Sequence, residues 1–378
     1  MTEKLGTIIA ISQIGLNRNS PFFIARYLST VGHRIVRLVD KSVTYSMKID
    51  VFTHFVPPKY HKALTERADK NSYMMLPLDL TPAINNIEAR LNILDRYEGY
   101  KQVLTLAGPP LDAVVSQKDG AELARLANDE MAELVAKHSD RIVGALATLP
   151  MHNMEAALQE GKRAVEQLGL RGVQIHTSVA GKPLDRKEFF PLYEMMSQYD
   201  LPIFIHPMRR RSTPDYPDED HSHYWIWQVL GWPYESSVTM IRLILAGVFD
   251  HYPSLKFVIH HCGAMIPFFS ERITGCYDYA EAFFKTKYTK RLRNNLRDYL
   301  KMFYVDTAIY GFTPGLMCGY AFFGVDHILF ATDMPHDNEG GERYIRDTIT
   351  SVNRMDISEM DKKKIFSGNA RELLRLPV

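Results

Sequence analysis

Four histidines and one aspartate stand at the ends of short apolar runs: His54, His176, His206, His261 and Asp333. Imidazole and carboxylate are the ligands that a divalent ion such as zinc takes. A catalytic zinc site needs three protein ligands and an open position for water or substrate. His54, His206 and Asp333 suffice for that. One histidine at such a place reads as a hydrogen-bonded structural residue. Five polar residues at matching places point to convergence on one centre.

The elements that must position them are eight runs rich in Val, Ile and Phe, at 49–54, 102–106, 142–149, 172–176, 202–206, 256–261, 302–306 and 327–333. Continuous apolar runs, rather than strict alternation, suit parallel strands covered on both faces. Between them lie segments with apolar residues at helical spacing. The stretch 120–138 places Leu123, Leu126, Ala127, Met131, Leu134 and Val135 on one stripe, and 154–168, 189–199, 238–249 and 344–352 behave alike. Eight strands alternating with helices predict an α/β fold, a (β/α)8 TIM barrel, whose active site lies at the carboxyl ends of the strands. Insertions are expected after strand one (56–100) and strand five (207–235). No GxGxxG opens a helix after a strand and no GxxxxGK[ST] occurs, so nothing supports a dinucleotide or triphosphate crevice.

Composition narrows the class further. The 378 residues carry 45 basic and 44 acidic side chains, a formal charge of +1, which argues against a nucleic-acid surface or a polybasic membrane patch. No apolar run approaches the ~18 residues of a membrane span. The three cysteines, Cys262, Cys276 and Cys318, form no CxxC pair and no disulfide framework, which fits a reducing cytoplasm. Residues 1–46 hold six Lys/Arg against two acids, leaving a charge of −3 for the rest. This basic N-terminal extension reads as a transit peptide or as a start assigned upstream of Met47, ahead of one barrel domain at 47–378.

Five segments carry a resemblance to a known family: Met47–Pro57 (MKIDVFTHFVP), 172–185 (GVQIHTSVAGKPLD), 201–207 (LPIFIHP), 258–268 (VIHHCGAMIPF) and 328–336 (ILFATDMPH). They resemble the amidohydrolase-2 branch of the amidohydrolase superfamily, typified by aminocarboxymuconate-semialdehyde, γ-resorcylate and 5-carboxyvanillate decarboxylases. The resemblance runs from Met47 to about Leu376. It implies one divalent metal ion, zinc first and manganese as the alternative, held by His54, His206 and Asp333. It makes His261, which opens an H-x-G-x-x-x-P segment, the catalytic histidine or one that supports the metal ligands from behind, and matches Arg272 to an arginine that in some members crosses a dimer interface to hold a substrate carboxylate. One departure stands out. The family's first strand ends His-x-His or Glu-x-His, whereas this chain reads Phe52-Thr53-His54. The site then binds metal more weakly, recruits His176 or a substrate oxygen, or dispenses with metal.

The implied reaction is non-oxidative decarboxylation of an unsaturated or aromatic carboxylic acid, with Asp333 or His261 returning a proton to the carbanion-like carbon. Arg209, from the triplet Arg209–Arg211 after His206, is the further candidate for the substrate's anionic group, with His176 beside it. Metal-assisted hydrolysis or hydration on the same site is the alternative, and a binding-only barrel is another. Strand four ends in His176 and carries no lysine, which disfavours a two-metal hydrolase. His260, adjacent to His261 on a strand, is expected on the opposite face in a packed role. His336 belongs to a second layer around the site or to a solvated loop. His221 and His223, among Asp218, Glu219 and Asp220, read as a solvated loop or a chelating cluster. Trp225, Trp227 and Trp232 suit a lid, lid packing or a dimer contact. The expected partners are a small carboxylic acid and a second copy of the chain, with no nucleic acid and no membrane.

Overall fold

The computed structural model describes residues 47–68 and 81–378, so the basic extension at 1–46 and part of the first insertion lie outside the described residues. Eight parallel strands carry the architecture: β1 (Lys48–Phe55), β2 (Tyr100–Leu106), β3 (Ile142–Ala145, resuming as Ala147–Thr148), β4 (Val173–His176), β5 (Ile203–His206), β6 (Phe257–Ile259), β7 (Tyr304–Asp306) and β8 (Ile328–Leu329). All eight residues of β1 are buried, as expected for a strand covered on both faces. In sequence order each strand pairs with the next, and β3 changes partner at Leu146: its first half pairs with β2 and its second with β4. The ring closes between β1 and the segment after β8. Val51 donates to the Phe330 carbonyl at 3.1 Å, Asp333 to Phe52 at 3.0 Å and His54 to Met334 at 2.8 Å.

Helices clothe the ring where the spacing places them. The helix α1 (Gln117–Lys137) starts three residues before the expected stripe, because Ser116 caps it by accepting from the Asp119 amide at 3.1 Å. Its inner face buries Leu123, Ala127 and Met131. The helix α2 (Gly231–Leu245) begins inside the expected second insertion, and Gly247, at φ +76°, separates it from a short turn, Val248–His251. Beyond β6 runs α3 (Ile266–Phe283). The barrel floor is an apolar cluster that includes Ile49, Val51, Val103, Leu146, Phe204, Val258 and Leu329. No helix among the described residues is long and apolar enough to cross a membrane.

Two expectations about strand ends need correction. The sixth strand stops at Ile259, and His261 and Cys262 take left-handed φ of 59° and 57°. Strand alternation therefore does not apply to His260 and His261, and both rings face the barrel centre. The eighth run continues past Leu329 as extended chain held by the β1 bonds rather than as a regular strand.

Candidate active site

The carboxyl ends of the strands bring together His54, His176, His206, His261 and Asp333. His54 and His206 have ring centroids 5.4 Å apart, and His176, in register with His206, stands 5.3 Å from it. His54 Nε2 lies 3.0 Å from Asp333 Oδ1, while His261 Nε2 lies 3.6 Å from Asp333 Oδ2. Asp333 itself sits at φ +67°, and Tyr310, at φ +57°, donates its hydroxyl to Asp333 Oδ2 at 2.8 Å. Left-handed backbone at non-glycine residues costs of order 1–3 kcal/mol each and persists where surrounding structure demands it. Here it gathers at Asp333, His261, Cys262 and Tyr310, at one end of the barrel.

Two of the imidazoles, His206 and His54, are oriented from behind, whereas His261 Nδ1 is buried without a partner. His206 Nδ1 pairs with the Pro207 carbonyl at 2.7 Å, which leaves Nε2 for the centre. His54 Nδ1 faces Thr105 Oγ1 at 3.4 Å, and the His54 carbonyl accepts from the buried Arg90 guanidinium. Arg90 also donates to Ala83 O at 3.0 Å and Gln102 Oε1 at 2.8 Å. Within β1, bonded to the chain that follows β8, lies Asp50, fully buried. One oxygen accepts from the Phe52 and Thr332 amides at 3.1 Å, and the other from the Thr332 and Tyr100 hydroxyls. Burial pushes its carboxyl up to about 7.

Phe52 occupies the middle of the cluster. Its ring stacks on His260 at 3.5 Å with a 16° interplanar angle, and lies 4.4 Å from His54 and 5.6 Å from His206. Such an aromatic contact adds roughly 0.5–1.5 kcal/mol to the burial of the ring. His260 is the packed residue expected of it. Its Nδ1 is 2.7 Å from Asp306 Oδ2, and neither side chain is exposed. His336 resolves to the site, with its ring 4.9 Å from His54. Trp232 meets His206 edge-on at 5.4 Å; Trp227 is buried behind it and Trp225 is half exposed.

The electrostatics divide the histidines. Burial pushes His176 and His336 down to about 4 and His206 well below the usual imidazole range, so these three are neutral. Burial also opposes charge on His261, but the Asp333 carboxylate outweighs it and raises His261. Against its own burial, Asp333 is held well below the carboxylate range by bonds from His261 and His54. An imidazole biased toward its charged form and a carboxylate held ionised thus stand side by side.

The donor chemistry fits one divalent ion. His206 Nε2 is free, and the 3.0 Å between His54 Nε2 and Asp333 Oδ1 is about the spacing of adjacent ligands at the ~2.0–2.2 Å bonds of zinc. The cage is open, however. Among the described residues, the trio with ligand atoms all within 4.8 Å of one another is Asp220, His221 and His223 on the surface, not His54, His206 and Asp333. Arg211 Nη2 is 3.2 Å from His221 Nε2, which sets a cation against that surface trio.

The two arginines are not in the cluster. Arg209 Nη1 is 3.3 Å from Glu235 Oε1, and its backbone carbonyl receives Trp232. Arg272 is exposed on α3. Sequence reasoning did not single out Tyr310, Asp306, Thr332, Asp50 or Arg90. Asp306 offered a signal, as the polar last residue of the seventh run, and Tyr310 follows it by four.

The family model described as Amidohydrolase matches residues 49–376. The chain belongs to the amidohydrolase family. A γ-resorcylate decarboxylase of Polaromonas sp. is 32% identical over 300 residues, 76% of this chain and 87% of that one. A 2-amino-3-carboxymuconate-6-semialdehyde decarboxylase of Dictyostelium discoideum is 28% identical over 353 residues, covering 88% and 92%. A crystal structure of a dihydroxybenzoic acid decarboxylase from Polaromonas sp., with bound manganese and the inhibitor 2-nitroresorcinol, superposes with a TM-score of 0.71 at 28% identity, over 87% and 97% of the two chains. These amidohydrolase relatives are carbon–carbon lyases, and the last holds a divalent metal.

Proposed function

We propose that the protein is a metal-dependent, non-oxidative decarboxylase of an aromatic or unsaturated carboxylic acid. The observation that carries the reading is the His261–Asp333–His54 chain of contacts at the barrel mouth, with neutral His206 and His176 facing it. His54, His206 and Asp333 would hold the ion, zinc by the preference of imidazole-rich sites, or manganese as in the relative. Bound there, it supplies Lewis-acid and template chemistry toward a carboxylate and a neighbouring oxygen.

The residues of the chain do the rest. Departure of carbon dioxide leaves an electron pair on carbon, which must take a proton. His261 holds that proton at Nε2, because Asp333 raises its affinity. Asp333, kept ionised, orients the imidazole and stabilises its positive charge until the proton passes to carbon. Tyr310 fixes the second Asp333 oxygen. Trp232, partly exposed beside His206, presents an apolar wall that suits a flat ring and excludes water. His176 stands next to His206 as a neutral donor for a substrate oxygen.

Arg272 lies on a helix face that also exposes Phe268, Tyr279 and Phe283, at 78%, 57% and 70%. An exposed aromatic row of this kind marks a protein interface, and a homodimer in which Arg272 reaches the neighbour's substrate accounts for both. The catalytic unit is the barrel from residue 47 onward. The three free cysteines suit a cytoplasmic setting.

The test is carbon dioxide release from a panel of hydroxybenzoates and unsaturated acids by metal-loaded protein. The reading predicts release from at least one, abolished by His261→Ala. Hydrolysis of a lactone or amide without any decarboxylation would refute it.

A further inference from the structure

Phe52 and His54 are two residues apart on β1, so their side chains project to the same side of the strand, toward the barrel centre. At this position the chain places a fully buried ring that offers no donor. That ring is locked by its stack on His260 and touches the edges of His54 and His206. It therefore closes the floor side of the cluster to any further protein ligand. Three donors remain, of which His54 and Asp333 are adjacent and His206 stands farther off, outside a closed trio. His176 does not complete it either, since among the described residues no group of three containing His176 brings its ligand atoms within 4.8 Å of one another. The remaining approach is from the carboxyl ends of the strands, where His206 and His261 keep partial exposure.

We infer that Phe52 makes metal binding and substrate binding mutually dependent: the chain alone holds a divalent ion weakly, and an aromatic ligand with two adjacent oxygens supplies the donors that Phe52 withholds. Linkage makes the effect reciprocal, so the ion tightens the ligand by the same factor as the ligand tightens the ion. The inference rests on the metal-dependent reading above and adds to it a binding order set by one side chain.

The experiment is equilibrium dialysis of full-length protein against Mn2+, read by metal analysis, with and without saturating 2-nitroresorcinol, which has no carboxylate to lose. Saturating probe is expected to tighten Mn2+ about tenfold or more, within the ~5–150-fold usual for coupled sites. Phe52→Glu, and independently Phe52→His, are expected to tighten Mn2+ without the probe and to shrink the coupling. Equal Mn2+ affinity with and without the probe in the unaltered protein overturns the inference while leaving the metal site standing. So does failure of both folded variants to gain affinity. An unaltered protein that takes up no Mn2+ or Zn2+ in either condition removes the metal-dependent reading, and this inference with it. Should the variants not fold, the comparison with and without the probe decides alone.

Discussion

His54 Nε2 and Asp333 Oδ1 meet at 3.0 Å across the seam where the last strand closes on the first. Neither residue has another route to the centre, because the backbone bonds His54 N to Met334 O and Asp333 N to Phe52 O fix both ends of the contact. Asp333→Asn keeps the shape and removes the charge. It is expected to lower turnover by about 10²–10⁴-fold, the usual weight of a positioned acid–base group, and to lower bound metal as well. Carbon dioxide release and metal analysis on the same preparation check both, and full activity in this variant would exclude Asp333 from the machinery.

Tyr310 bonds the other Asp333 oxygen at 2.8 Å without reaching the histidines' nitrogens. Tyr310→Phe removes only that hydroxyl. Outer partners of this kind are worth about 10–100-fold in metal affinity or activity, and the loss should appear with little change in thermal stability. A change below twofold in both would leave Tyr310 without this role.

The barrel and its site were readable in the sequence for one reason: parallel strands buried on both faces leave an apolar run, and the polar residue that ends it marks the mouth. That rule located His54, His176, His206 and Asp333. It was less apt at His261, where the strand stops at Ile259 and left-handed backbone at His261 and Cys262, not strand alternation, aims the ring. The supporting layer was not legible. Asp50 and Thr332 are 282 residues apart and meet only because the ring closes, and Arg90 lies on a helix within an insertion whose path no periodicity discloses. Tyr310 follows a strand end by a loop. Arg209 shows the converse limit, since a basic triplet after a strand says nothing of the Glu235 that pairs with it.

Acid should unfold the metal-free protein through its buried imidazoles. His176 and His336 are pushed down to about 4 and His206 well below the ordinary range, all by burial, whereas an unfolded histidine titrates near 6.5. Between about pH 6.5 and 4 the unfolded chain therefore binds protons that the folded chain refuses. Stability rises with pH there and is lost as pH falls, by about 1.4 kcal/mol per pH unit for each group. His261, raised by Asp333, works in the opposite sense, and its stabilisation fades as pH rises above its unfolded value. Urea unfolding at several pH values checks the slope, and His336→Gln should flatten it by one proton; an unchanged slope would contradict the assignment.

Thr332 gives one hydroxyl to two tasks, donating to Asp50 and accepting from the Met334 amide at 3.2 Å. Thr332→Val keeps the volume and leaves buried polar groups without partners, at a cost of about 1–3 kcal/mol. Denaturant midpoints measured at pH 7.5 should show it. A neutral substitution would mean that Asp50 finds its partners elsewhere.

The aromatic face of α3 carries the prediction about assembly. Phe268→Asp combined with Phe283→Asp is expected to convert a dimer to a monomer in sedimentation velocity, with the barrel intact by circular dichroism. Arg272→Ala should leave the dimer and raise KM for the acid more than it lowers kcat. A native protein that sediments as a monomer at micromolar concentration would remove the interface.

The seam has a consequence for biosynthesis. His54 emerges from the ribosome among the first described residues, and its partner Asp333 comes from the closing segment, with Thr332 and Asp50 282 positions apart. Until that last segment docks, His54 has no carboxylate partner and β1 has an open edge. A nascent or clipped chain lacking residues beyond Leu329 cannot form the His54–Asp333 contact. The His54–Asp333 contact is therefore a property of ring closure rather than of any local stretch of chain.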